Sequence, residues 1–117
     1  MGGLQALDPV AAATVDPSAV VWINGRRAIV ATMSREERIT TCEISRGWLP
    51  KASYLAQVVR VIGDRRRVVI LGPSVARLAL EREYVAVFRR PDRLVDVEPA
   101  GAMNAQELVE RLRVLAA

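Results

Sequence analysis

From Ala19 to Met33 the chain reads AVVWINGRRAIVATM, two apolar, β-rich runs broken by Asn24-Gly25. That dipeptide suits a two-residue type I′ hairpin, whose central positions both need positive φ. The pattern predicts one strand over Ala19 to Ile23 and a second over Arg26 to Met33. After a polar turn, SREE, the β-branched segment RITTCEIS predicts a third strand and an antiparallel meander. RGWLP (Arg46 to Pro50) is a loop. From Lys51 the period changes. Leu55, Val58, Val59 and Ile62 recur at i, i+3, i+4 and i+7, one face of a helix that Gly63 can close.

A second crossover follows. After the corner DRRR, Arg67 to Leu71 is a short continuous apolar run, the mark of a parallel strand buried on both faces. Gly72-Pro73 turns the chain into a helix starting near Pro73 or Ser74, since proline at the first helical position costs little. Ala76, Leu80, Tyr84, Val87 and Phe88 form its inner face. RRPDR breaks it and LVDVEP predicts a fifth strand. MNAQELVERLRVLAA closes as a helix, with Asn104 and Glu107 spaced as a capping box and Leu108, Leu112 and Leu115 as its buried stripe. The fold class is therefore α/β, a single domain of ribonuclease-H-like order, β-β-β-α-β-α-β-α. It has a mixed sheet with helices on its faces. Residues 19–117 make that domain. Residues 1–18 read as a flexible or loosely packed lead-in.

Residue chemistry narrows the function. The chain has no histidine and a single cysteine, Cys42, which removes the usual general base, an intrachain disulfide and cysteine-based metal sites. Ribonuclease-H-like nucleases gather carboxylates from the first strand, the first helix and the end of the fourth strand to hold two metals. Here the first strand, AVVWI, and the helix from Lys51 to Ile62 carry no acid, and the fourth strand ends on Leu71-Gly72. The expectation is a non-enzyme with neither metal nor cofactor. Gly72-Pro73-Ser74 has the outline of a phosphate turn but lacks the second glycine and lysine of a P-loop, and Pro73 removes an N–H donor. It reads as a structural turn, as Asn24-Gly25 does.

Net charge is +4 with a pI near 10.2, and of 17 basic residues only Lys51 is a lysine. Arginine excess serves bidentate phosphate contacts; codon usage in a GC-rich genome produces it too. The basic clusters lie at Arg26 and Arg27, at Arg65, Arg66 and Arg67, and at Arg89, Arg90 and Arg93. Each alone suits a solvated corner; converging, they would grip an RNA backbone. Trp48, between Arg46 and Lys51, is either a packed loop anchor or an exposed contact. No apolar run approaches the ~20 residues of a membrane span, so a cytoplasmic location is expected.

Four segments, VVWINGRRAIVATM, RVVILGPSVARLALEREYV, RRPDRLVDVEPA and the closing helix, together resemble the central domain of archaeal and eukaryotic-type class 1 peptide release factors. The closer resemblance is to bacterial and actinobacterial release-factor-like proteins, including the Vms1-like group. It spans Ala19 to Leu115 and implies the ribonuclease-H-like fold and a translational setting. It also implies a Gly-Gly-Gln tripeptide between the third strand and first helix, where water attacks peptidyl-tRNA. The matching loop, SRGWLPKAS, has Gly47 as its only glycine, and no glutamine occurs there before Gln57 on the helix. The hydrolytic group is not carried over. What this implies is a module that binds ribosomal RNA or tRNA. Arg46, Trp48 and Lys51 would be its contact loop, with Arg65 and Arg66 as support and Arg26 and Arg27 at the hairpin. The alternative is a protein-interaction or homodimerising module that pairs through the third strand as a sheet edge.

Overall fold

The computed structural model describes residues 15–117. Five strands are joined in one sheet: β1 (Ser18–Ile23), β2 (Arg27–Met33), β3 (Ile39–Ser45), β4 (Arg67–Gly72) and β5 (Leu94–Pro99). Three helices are described, α1 (Lys51–Ile62), α2 (Ala76–Phe88) and α3 (Ala105–Ala116). The sheet order is β3-β2-β1-β4-β5, with β1, β2 and β3 antiparallel in turn and β4 parallel to both β1 and β5. This is the mixed α/β architecture that the sequence order predicts.

β1 is the centre because all six of its residues are buried. Its alternation supplies two cores. Ala19, Val21 and Ile23 face α1 and α2, where Leu55, Val58, Val59, Ile62, Leu80 and Tyr84 cover them. Val20 and Trp22 face α3, packing with Leu108 and Leu112. β4 repeats the pattern, with Val68 and Ile70 on one side and Val69 and Leu71 on the other. A strand covered on both faces reads as an unbroken apolar run.

Several expectations shift. The hairpin turn sits one residue later, on Gly25-Arg26. Ile23 pairs with Ala28, and the Asn24 N–H donates to the Arg27 carbonyl at 3.0 Å. Neither Asn24 nor Gly25 takes positive φ, so the turn is not type I′. The Asn24 side-chain oxygen instead accepts from the N–H groups of Arg26 and Arg27, each at 2.8 Å, and closes the turn itself. α2 starts at Ala76. Its packed stripe advances by four residues through Ala76, Leu80, Tyr84 and Phe88, while Val87 is half exposed rather than inward. α3 carries the capping box, Asn104 with Glu107, at 2.8 and 3.0 Å; Leu108 and Leu112 are buried and Leu115 partly so.

The lead-in expected over residues 1–18 lies, as far as residue 14, outside the described residues. Val15 to Ser18 are part of the packed body. Val15 donates to the Arg35 carbonyl, and Ser18 is buried between Met33 and Arg67.

Candidate functional site

Strand direction sorts the basic clusters into two groups. β1, β3, β4 and β5 all run the same way, so their carboxyl ends share one end of the sheet. The β1–β2 hairpin with Arg26 and Arg27, the β3–α1 loop with Arg46 and Trp48, and Lys51 at the start of α1 all lie there. In parallel α/β sheets this is the end where ligands bind. Arg65 and Arg66 precede β4 at the opposite end, where the Arg66 N–H donates to the Pro17 carbonyl at 2.8 Å. Arg89, Arg90 and Arg93 lie at that opposite end too, between α2 and β5. The sheet thus brings Arg26, Arg27, Arg46, Trp48 and Lys51 together and holds Arg65 and Arg66 apart from them.

The loop after β3 is braced rather than loose. The Arg46 N–H donates to the Arg26 carbonyl at 2.8 Å, and the Leu49 N–H donates to the Arg46 carbonyl at 3.0 Å. Arg46 adds its side chain. Nε donates to the Leu49 carbonyl at 2.8 Å and Nη1 to the Gly25 carbonyl at 3.4 Å. Gly47 has φ 56°, the left-handed region where a side chain is strained, so glycine is what lets the tip turn. Held this way, the loop leaves Trp48 fully exposed, at 102% of its reference surface. The alternative of a packed loop anchor is excluded. Beside the indole is an open cleft of about 620 Å³ lined by Gly25, Arg26, Arg46, Gly47 and Leu49.

The cations here differ in availability. Arg27 is half buried; its guanidinium lies 5.2 Å from the Trp22 ring centroid and 3.5 Å from Glu43, so it is largely engaged. Arg26 and Lys51 are exposed, and among the described residues neither forms an ion pair. The first turn of α1 holds no acid, which leaves the positive end of its dipole uncompensated beside the loop. At the far end, Arg66 and Arg67 reach Asp16, Arg90 pairs with Asp92, and Arg93 pairs with Asp64. Arg65 is a structural clasp there, donating through Nε to Ile62 at 2.8 Å and through Nη1 to Met33 at 3.4 Å.

Gly72 serves packing. A Cβ added to it would sit 2.1 Å from the Ile23 carbonyl oxygen, so the ends of β1 and β4 meet only over a glycine. On β5, Arg111 clasps Glu98 and holds its carboxyl below the usual value. The neighbouring Glu98 carboxylate raises the Asp96 pKa. Among the described residues no three Cys, Asp or Glu side chains gather to hold a metal ion.

One residue that sequence reasoning did not single out braces the site. Tyr54, 1% exposed, donates its hydroxyl to the Asn24 carbonyl at 3.1 Å and ties α1 to the hairpin. Its place one turn before Val58 was the available signal. Burial pushes the Tyr54 pKa up to about 12 from 10.0, against a smaller opposing pull from the Arg46 charge. Burial raises Tyr84 as well. The folded state therefore keeps protons that the unfolded chain gives up near pH 10. This stability is fully present below pH 10 and is lost as pH climbs toward about 12. In urea titrations across that window, Tyr54→Phe is expected to flatten the alkaline loss. An unchanged slope would remove Tyr54 as a cause.

No protein-family model matches the chain, and no curated protein sequence matches it significantly. Solved structures do match. The Pelota protein of Thermoplasma acidophilum aligns with TM-score 0.62 and 22% identity, over 93% of this chain and 37% of that one. Pelota of Archaeoglobus fulgidus gives 0.61 and 14%, over 97% and 36%. An archaeal translation termination factor gives 0.59 and 13%, over 80% and 32%. At these identities the likeness is one of fold. The chain has a release-factor-like α/β fold and spans about a third of the length of each of these proteins.

Proposed function

We propose that this chain is a non-enzymatic, translation-associated module that binds ribosomal RNA or tRNA through the end of the sheet carrying Arg26, Arg46, Trp48 and Lys51. The carrying observation is the β3–α1 loop. Where the release-factor resemblance implies a Gly-Gly-Gln tripeptide, this loop presents a braced basic tip with an exposed indole and no hydrolytic side chain. The fold it shares with a translation termination factor supports the setting. The proposal places the chain at the ribosome, in the cytoplasm.

The test is co-sedimentation with purified ribosomes and filter retention of bulk tRNA, each across a salt series. Binding is expected at low salt and should fall steeply as salt rises, because phosphate contacts release counterions. Replacing both Arg26 and Lys51 with alanine should weaken it roughly tenfold and lower the salt slope by about two. No binding at the lowest salt would overturn the reading.

One observation favours a second reading, a protein-interaction or homodimerising module. β3 is an edge strand whose Thr40, Thr41, Cys42 and Glu43 are exposed. Sedimentation equilibrium separates the two readings: a strict monomer at high concentration removes the homodimer.

A further inference from the structure

We infer that Trp48 is a stacking platform for one unpaired RNA nucleotide, extruded from a bulge or loop, with its flanking phosphates held by Arg26 and Lys51. The inference rests on the RNA-binding reading above and adds what kind of RNA the site selects.

The aromatic inventory sets the number at one. Of the five aromatic residues in the chain, Trp22, Tyr54 and Tyr84 are buried and Phe88 is packed against the α1–α2 core. Trp48 alone presents a ring face to solvent. Proteins that follow a single strand set successive bases on successive rings. One ring cannot do this, so an unstructured strand is a poor fit and a single splayed base a good one. Recognition of folded RNA by base contact targets such unstacked bases in loops and bulges, stacking them on aromatic side chains.

The cleft gives the base a place beside the ring. Its volume of about 620 Å³ is within the range of pockets that hold small ligands, and its lining combines apolar Leu49 and glycine backbone with the cations of Arg26 and Arg46. No acid lines it. That suits a base carried on phosphates. The brace matters as much as the ring. Arg46 spends Nε and Nη1 on loop carbonyls, and Gly47 is already turned, so the indole is presented in a fixed position. Fully paired RNA offers no free base face to such a tip, whereas a bulged nucleotide does.

The test uses the full chain and two short RNA hairpins of equal charge, each closed by a synthetic polyethylene-glycol linker instead of a nucleotide loop, one fully paired and one with a single unpaired nucleotide in the stem. Tryptophan emission and filter retention are followed in parallel at low salt. Trp22 is 2% exposed, so a ligand reaches only Trp48 and emission changes report that residue. The bulged hairpin is expected to quench emission and to bind about tenfold tighter than the paired one. Trp48→Ala should abolish both the quench and the preference, and Trp48→Phe should restore the preference. Because Trp48 touches no core, neither variant should alter the thermal melt. Retention of both hairpins with equal affinity and without quenching would overturn the stacking inference and leave the RNA-binding reading standing. Retention of neither at any salt would overturn both.

Discussion

Gly72→Ala is expected to cost about 3 kcal/mol or more, and to lower Tm by over about 10 °C. The cause is a backbone collision. The new Cβ would meet the Ile23 carbonyl oxygen at 2.1 Å and its carbon at 3.2 Å, and neither belongs to a side chain that can swing away. Relief requires β1 and β4 to part at their ends. There Trp22 pairs with Leu71, and the Gly72 carbonyl accepts from Ala100 at 3.0 Å. The strain would spread toward the β1–β2 hairpin, which follows Ile23 directly. Gly25→Ala and Gly101→Ala are the controls, because nothing lies within 4 Å of a Cβ at either position. Thermal melts of the three variants decide the matter. Equal losses would assign the effect to glycine's backbone freedom instead of close approach.

Tyr84→Ala is expected to cost about 4 kcal/mol, the range for removing a large buried aromatic. Tyr84 is fully buried on α2, and its ring centroid lies 4.8 Å from that of Phe88. Its hydroxyl donates to the Gly63 carbonyl at 2.9 Å and accepts from the Arg65 N–H at 3.2 Å, so it seals the corner where α1 turns into β4. Tyr84→Phe keeps the ring and leaves both backbone groups without that partner, at about 1–2 kcal/mol. The two urea denaturation midpoints should therefore differ clearly, with alanine the worse. A Phe variant as unstable as the Ala variant would mean that the hydroxyl network, and not the packed ring, holds the corner.

The frame of the protein was legible because its signals are local. The apolar runs of β1 and β4, the i, i+3, i+4, i+7 stripe of α1 and the capping box at Asn104 each sit within a dozen residues. The tyrosine braces were not, because their partners are backbone carbonyls 30 and 21 residues away, chosen by tertiary packing. The hairpin turn was misplaced by one residue for a different reason. The Asn-Gly signal assumes backbone geometry, whereas the Asn24 side chain takes both N–H groups. The division of the basic clusters was latent in the strand order. Once β1 and β4 run parallel, residues after one and before the other must lie at opposite ends. Only the exposure of Trp48 had no sequence signature.

The two edges of the sheet are unequal. β5 carries Asp96, Glu98 and Pro99, and its pairing with β4 shifts register after Val68. Charge, proline and a bulge are the devices that keep a strand from accepting a neighbour. β3, seven residues long, has no proline and one charged side chain, Glu43. The sheet can therefore grow from one side only. Two copies meeting through β3 would each turn a blocked strand outward, and the assembly would close at two instead of continuing as a fibre.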